Sequence, residues 1–423
     1  MTTAPLALVD INNAYCSFER IFQPSLQHRG VIVVGSNDSN IIARSPEVKE
    51  LGIPMGAPLF EYEALIKQHN IAVCSANWAL YGDCSARFVA TLGEFTDELE
   101  VYSVDESFLR LPALSLAELT AHAQQLRATV WQYVKVPVSV GVAATKTLAK
   151  AANKRAKKTA SGVLVLQDED EIDALLASMP VEDIWGMGPR RAALLASELN
   201  IRSGLQLKHA PDRWVKQRLS IMGLRTVLEL RGIPCIPLAD APPNKQQIAC
   251  AQVFGQPVQD LASLREAVAC YMSRAAERLR KQQSKAAHIT VYLHTNPFRL
   301  DQPQYARSLG CALPEPTSAT GTLITAAQAL LSRLYVSGYQ YHRTGVFLQG
   351  LVPDQPTQLS LFTSPEQQAK QEAASRLADS INARFGRGTI TFASVGKGQP
   401  WRAKQANVSP RFTTRLGEVP VVH

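Results

Sequence analysis

The chain has 423 residues, of which 46% are hydrophobic and 19% charged. At roughly 150 residues per domain this length argues for about three domains, and the apolar content excludes a disordered chain. The 44 Lys and Arg against 36 Asp and Glu leave a net charge of +8, compatible with a polyanionic partner but too diffuse to identify one. No basic leader with a following apolar run opens the sequence, and no stretch of about 18 apolar residues occurs in it, so secretion and membrane spanning are unsupported. Seven scattered cysteines without a CxxC pair read as small buried hydrophobes in a reducing cytoplasm.

Charge is unevenly spread. Residues 1–244 carry 24 basic and 26 acidic side chains, a net of −2, whereas residues 245–423 carry 20 and 10, a net of +10. The change falls at 239–245 (ADAPPNK), a polar, Pro-containing stretch of the kind that joins domains. Ahead of it, the apolar segments 6–12, 99–104, 107–111 and 137–143 read as strands, with a helix over 115–135, so an α/β sheet layer is expected. Helices over 145–158 and 186–200, within a purely helical pattern from 170 to 232, predict a small all-α unit. Beyond the boundary, Leu264, Val268, Met272, Ala275 and Leu279 form the apolar face of a helix over 262–281. Alternating strands at 288–294 and 343–349 follow it, hence a separate α+β domain. After Val352 the chain is rich in Gln, Pro and Ser and is expected to be partly flexible.

Three constellations carry chemistry. The first is Asp105-Glu106 within VYSVDESFLRL. Neighbouring side chains on a regular strand point to opposite faces, so two adjacent carboxylates converge only where the chain bends, which suggests a hairpin. Asp10 ends the apolar run LALVD. Three carboxylates at neighbouring strand ends would make a hard oxygen site suited to Mg²⁺, and two such ions about 4 Å apart can activate a hydroxyl and stabilise a leaving phosphate. Spacing alone fits a surface hairpin with an unrelated Asp equally well. The second constellation is the stripe Lys146, Lys150, Lys154, Lys157 and Lys158, with Arg155 nearby and no acid between 145 and 160. Lacking interleaved Glu, it leans toward phosphate binding over a merely solvated face. The third is Trp185-Gly-Met-Gly-Pro-Arg-Arg191 before a helix, where Gly186, Gly188 and Arg190 could hold a DNA phosphate at free backbone N–H groups. An ordinary interhelical turn is the simpler reading of a lone Gly-x-Gly.

The order of these blocks resembles the Y-family translesion DNA polymerases, in particular the UmuC-type catalytic subunits of bacterial DNA polymerase V. The resemblance runs through DINNAY, NDSNIIARSPEVKELGIPMGAP, NWALYGD, YSVDESF, SVGVAATKTLAKAANKRAKK, DIWGMG, ELRGIP, FGRGTITFASVG and SPRFTTR. Its most specific part is YSVDESF followed by GVAATKTLAKAAN. The resemblance implies a multidomain right-hand polymerase of α/β and α+β domains: a palm of 1–22 and 79–165, fingers of 23–78, a helix-hairpin-helix-like thumb of 168–236, a little finger of 245–351, and a tail of 352–423. The implied activity is error-prone, template-directed DNA synthesis past lesions in the SOS damage response.

The same resemblance assigns roles. Asp10, Asp105 and Glu106 match the three acids that bind two Mg²⁺ ions, with the carbonyl of Ile11 assisting. Tyr15 matches an aromatic steric gate that stacks under the sugar and rejects a 2′-hydroxyl, although the residues alone would read it as a core tyrosine. Lys157 matches a lysine that contacts the incoming triphosphate, and residues 36–43 would line the incipient base pair. The sequence departs from the wider family at Ala14, where many relatives carry an aromatic. It departs again at Pro46 and Lys49, which stand where other branches place a Tyr and an Arg that grip the triphosphate. Lys49 can supply a point charge but not a bidentate fork. Gln358, Leu359, Leu361 and Phe362, in QLSLF, resemble the peptide by which bacterial polymerases bind the β sliding clamp. The remaining tail implies a UmuD′-type dimer and RecA as partners, beside primer–template DNA and deoxynucleoside triphosphates. Two alternatives fit the residues alone: another two-metal palm enzyme such as a nucleotidyl cyclase, and a non-catalytic DNA-binding repair scaffold.

Overall fold

The computed structural model of the protein describes residues 4–239, 243–355 and 365–419. The chain divides into two compact units, one of Met1–Val34, Asn40–Pro242 and Asn407–His423, the other of Gly35–Ser39 and Pro243–Ala406.

In chain order the first unit begins Leu6–Ile11 (β1), Ala14–Phe22 (α1), Val31–Val34 (β2), Ile41–Arg44 (β3), Pro46–Glu50 (α2), Glu63–Gln68 (α3), Ala72–Ser75 (β4) and Trp78–Leu92 (α4). It continues Leu99–Val101 (β5), Glu106–Arg110 (β6), Leu116–Val134 (α5), Val138–Ala143 (β7), Lys146–Ala156 (α6) and Val163–Val165 (β8). Four helices complete it: Glu169–Ser178 (α7), Pro189–Leu199 (α8), Gly204–Lys208 (α9) and Asp212–Leu230 (α10).

Its main sheet has the order β5-β6-β1-β7-β8, with β1 antiparallel to both β6 and β7. A central strand covered on both faces needs apolar residues at every position, which is why LALVDI reads as an unbroken run rather than an alternation. Ala7, Val9 and Ile11 pack with Leu80 and Phe88 of α4 and Leu126 and Val130 of α5. Leu8 belongs to a different core, with Leu148, Ala149 and Ala152 of α6. That second helix lies very close to the sheet: a Cβ on Gly141 of β7 would come within 2.1 Å of the Asn153 backbone nitrogen. Buried Asn153 donates from Nδ2 to the carbonyls of Leu8 (3.2 Å) and Ser139 (2.7 Å), locking α6 to two strands at once.

A smaller sheet, β3-β2-β4, buries Ile32, Val34, Ile41, Val48 and Ile53 in its own cluster. These strands, each only four residues long, are absent from the sequence reading because so short a run records little periodicity. The helices α7–α10 pack around Leu176, Met187, Leu195, Leu207 and Leu230. Fully buried Glu229 joins α10 to the start of α6, accepting from Thr147 N and Oγ1 at 2.9 Å each and from Cys235 N (3.1 Å) and Ile236 N (2.9 Å). A carboxylate at a helix N-terminus is favoured by the free N–H groups there.

The second unit contains Ile248–Val258 (β9), Leu261–Lys281 (α11), Ser284–Thr295 (β10), Ala306–Thr317 (β11), Thr320–Leu334 (α12), Tyr341–Pro353 (β12) and Pro365–Phe385 (α13). An antiparallel sheet of order β11-β10-β12-β9 shares a core with α11 and α12. The expected strand at 288–294 and helix at 262–281 lie within β10 and α11.

After Val352, α13 runs for 21 residues, anchored by a bidentate pair from nearly buried Arg280 to Asp379, at 2.6 and 2.8 Å. Its contacts are largely ionic, and a polar composition conceals ionic anchoring. The cysteines are all free, but two are not the buried residues expected: Cys235 is half-buried, and Cys311, on the edge strand β11, is exposed. Among the described residues no helix is long and apolar enough to cross a membrane.

Trp401, 1% exposed, packs edge-on against Tyr271 of α11 with ring centroids 5.5 Å apart. Its truncation should cost about 3–5 kcal/mol, so Trp401→Ala is expected to lower the urea midpoint of the full chain well beyond Trp401→Phe, which keeps one six-membered aromatic ring in the core while giving up the pyrrole part of the indole with its unpaired N–H. Equal midpoints would show that this residue is not part of the core.

Candidate active site

The site begins with strand register. Asp10 on β1 lies opposite Glu106 on β6, and Ile11 N donates to the Asp105 carbonyl at 2.8 Å. The turn 102–105 between β5 and β6 puts Asp105 at its end and Glu106 at the first position of the returning strand. Ser103 shapes that turn: its hydroxyl donates to Asp105 Oδ1 at 2.6 Å and accepts from Glu106 N at 3.1 Å. The backbone thus brings all three acids to one corner of the sheet.

Their side chains are held apart by local partners. Lys157 Nζ lies 2.7 Å from Asp10 Oδ1. Lys150 Nζ donates to both oxygens of Glu106, at 3.0 and 3.1 Å, and sits 4.3 Å from the Tyr102 ring centroid and 5.2 Å from that of Trp185. Among the described residues no three His, Cys, Asp or Glu side chains stand close enough together to hold an ion in this arrangement. The three carboxylates at this corner are the hard oxygens that a divalent cation of the Mg²⁺ class takes. Burial pushes the Asp10 carboxyl up to about 6, against the opposing pull of Lys157 and with further upward pressure from Asp105 and Glu106.

The lysines of the stripe meet acids from other parts of the chain. Lys146 is buried and ion-paired with Glu100, and it also donates to the Pro237 carbonyl at 2.8 Å. Lys154 pairs with Asp183 at 2.5 Å. The missing acids are supplied by other elements, so four of the five lysines have carboxylate partners. Lys49, one residue from the end of α2, donates to Asn13 Oδ1, and burial followed by the nearby charges of Arg44 and Lys157 depresses its pKa.

Tyr15, on the first turn of α1, stacks on Tyr81 with centroids 4.9 Å apart and an interplanar angle of 11°, and meets Trp78 edge-on at 5.5 Å. Burial, and secondarily the charge of Asp105, raises its pKa. Gly186 takes a φ of +83°, a region that favours glycine, and its carbonyl accepts from Arg191 Nη1 at 2.7 Å. Gly188 caps α8 ahead of Pro189, and Arg190 is exposed. Of residues 36–43, Asn37 belongs to the second unit, donating to the Phe254 carbonyl at 3.2 Å and accepting from Lys404 N at 2.9 Å. Gln358, Leu359, Leu361 and Phe362 lie outside the described residues.

Sequence reasoning missed Lys150 as the partner of Glu106, Trp185 and Tyr102 around it, and the Glu19–Tyr81 pair behind Tyr15. The last was signalled by Tyr15 and Glu19 at helical spacing and by the aromatics of NWALYGD.

A carboxylate-bearing sheet, antiparallel except for the β7–β8 pair and backed by helices on both faces, with a helical segment and a separate four-stranded α+β unit on the same chain, defines a right-hand polymerase. Solved Y-family structures share this fold: a Dbh–Dpo4–Dbh polymerase chimera matches with a TM-score of 0.62 at 19% identity, and DinB from Sulfolobus solfataricus with 0.51 at 18%, each covering 82% of this chain and 99% of the other. Residues 9–154 match the impB/mucB/samB family, residues 245–361 its C-terminal domain, and residues 372–422 a domain of unknown function (DUF4113). The chain is 37% identical to Protein UmuC of Salmonella typhimurium over 98% of this chain and 99% of that one. It is 36% identical to Protein MucB of Escherichia coli over the same shares. The chain therefore belongs to the impB/mucB/samB family, the UmuC-type branch of the Y-family DNA polymerases, and is a DNA-directed DNA polymerase of the translesion type.

The raised Asp10 carboxyl has a consequence for stability. Its proton is held more tightly in the folded chain than in the unfolded one, so ionisation costs stability; the loss is complete above about pH 6 and fades as pH falls toward the ordinary value of 3.8. In chelator-containing buffer at pH 7.5, Asp10→Asn is expected to be more stable by roughly 1–3 kcal/mol, and the difference should shrink when the denaturation is repeated near pH 4. A pH-independent difference would contradict the assignment.

Proposed function

We infer that this chain extends a primer 3′ end past template lesions, with Asp10, Asp105, Glu106 and the Ile11 carbonyl as ligands for two Mg²⁺ ions. The observation that carries this reading is the pairing of Asp10 with Glu106 and of Ile11 with Asp105, which sets three acids on one sheet corner in a chain of this family. When bound, the cations supply Lewis-acid activation of the primer hydroxyl and neutralise charge on the departing pyrophosphate.

The chain's own residues do the remaining tasks. Lys157, 40% exposed and held by one carboxylate oxygen, is a mobile point charge for the triphosphate, with Lys49 as a second cation at the same corner. Lys150 keeps Glu106 oriented and offsets its charge. Tyr15, backed by Tyr81, presents its ring under the sugar and excludes a 2′-hydroxyl. The hairpin of Gly186, Gly188 and Arg190 takes a DNA phosphate at the N-terminus of α8, a contact blind to sequence. The net +10 of residues 245–423 supports a salt-sensitive grip on primer–template DNA. The palm, fingers, thumb and little-finger boundaries, and a role in the SOS response, belong to the same reading. So do the β clamp as partner of 358–362, a UmuD′-type dimer and RecA.

Asp105→Ala and Glu106→Ala should each lower primer extension by at least about 10³-fold, the scale on which a carboxylate-held metal site acts, while leaving primer–template affinity within about twofold. Extension by the parent chain should stop on chelation and return with Mg²⁺, on undamaged and abasic templates alike. Extension retained by either variant would remove these residues from the site.

A further inference from the structure

Residues 407–412 fall in the span matched by the domain of unknown function, yet they lie in the first unit, across two of its helices. Ser75, at the end of β4, forms a parallel bridge with Val408. Its N–H donates to the Asn407 carbonyl at 2.9 Å, and its hydroxyl accepts from Asn407 N at 2.9 Å. Asn77 caps α4 by accepting from Leu80 N, and its amide donates to Ser409 O (2.8 Å), Ser409 Oγ (3.0 Å) and Pro410 O (3.2 Å). Phe412 stacks on Phe22 of α1 with centroids 5.0 Å apart and planes 16° from parallel.

The polar part of this contact ends on Glu19. That carboxylate, in the middle of α1, is 0% exposed. A buried acid is tolerated only when its oxygens are supplied with donors, and Glu19 has three. Oε1 accepts from Tyr81 OH at 2.6 Å and from Ser409 Oγ at 3.1 Å, and Oε2 accepts from Gln23 Nε2 at 3.1 Å. Tyr81 is the ring on which Tyr15 stacks, and Glu19 lies one helical turn beyond Tyr15. An unbroken series of contacts therefore runs from Ser409 through Glu19 and Tyr81 to Tyr15.

We propose that the C-terminal segment Asn407–Phe412 is a clasp that sets the position of the Tyr15 ring and thereby the strictness of sugar discrimination, with Ser409, Glu19 and Tyr81 as positioning residues. The proposal rests on the reading of Tyr15 as the sugar gate. A gate works by a short-range clash, so a ring displaced by a fraction of an ångström admits what it should exclude, and small misplacements at reacting groups carry large kinetic consequences.

The test compares the ratio of kcat/KM for ribonucleotide to that for deoxynucleotide on one primer–template, using the full chain and its Ser409→Ala, Ser409→Thr, Glu19→Gln, Tyr15→Ala and Tyr15→Ala/Ser409→Ala variants. Ser409→Ala is expected to raise the ratio about fivefold, the factor corresponding to roughly 1 kcal/mol for one hydrogen bond. Its deoxynucleotide kcat/KM should stay within about twofold of the parent. Ser409→Thr, which keeps the hydroxyl, should retain the parent ratio, and Glu19→Gln should move it in the same direction as Ser409→Ala. Tyr15→Ala should raise the ratio further, and adding Ser409→Ala to it should change nothing more, because the clasp acts only through the ring. An unchanged ratio in both Ser409→Ala and Glu19→Gln, with a relaxed ratio in Tyr15→Ala, would overturn the clasp and leave the gate standing. An unchanged ratio in Tyr15→Ala would remove the gate itself. Equal losses for both sugars in Ser409→Ala would reduce the segment to a purely structural support.

Discussion

The close approach of α6 to β7 governs the geometry of this polymerase. Only a residue without a Cβ fits at Gly141, since any side chain would meet the Asn153 nitrogen and the Ala149 carbonyl, and Asn153 then satisfies one carbonyl on each of two strands. With the helix held there, its lysines fall along the acidic corner at one-turn intervals. Lys150 meets Glu106 on β6, and Lys157 meets Asp10 on β1. A helix set even an ångström or two farther from the sheet would leave the carboxylates facing one another with no compensating charge in a half-buried setting.

That compensation explains why the lysine stripe is easy to misread. Along the chain it is a run of positive charge without acids, which suggests a face awaiting an external anion. In the fold, Glu100, Glu106, Asp183 and Asp10 arrive from β5, β6, the segment before α8 and β1. Charge pairing across a sheet is set by which strands are neighbours, and a window of consecutive residues carries no information about that. The same limit applies to Glu19 and Glu229. Each reads as an ordinary helical acid, and each is fully buried with donors drawn from distant parts of the chain.

The C-terminal residues show a related effect. Gln- and Ser-rich composition suggested flexibility, but α13 is tied down by Arg280, Asp379, Lys285 and Glu372, and Trp401 fills a core position in the second unit. Apolar periodicity cannot report an element that is anchored by ion pairs and a single aromatic. Where periodicity was strong, as in β1, α5, β7 and α11, the elements lie where the pattern put them, because burial on one or both faces leaves a regular record in sequence.

The sequence by itself determined the strongly periodic elements and the family resemblance, and it singled out three candidate acids, because these depend on residue type and short spacing. It also located Asp105 and Glu106 beside a turn, since adjacent carboxylates between two apolar runs leave little alternative. Only the tertiary structure decided which lysine faces which acid, that Tyr15 rests on Tyr81, and that Ser409 reaches Glu19 from 390 residues away in the chain. Those relations depend on strand order and on the return of the C-terminal segment, and such long-range closures are specified by the packing of the whole unit rather than by any segment of it.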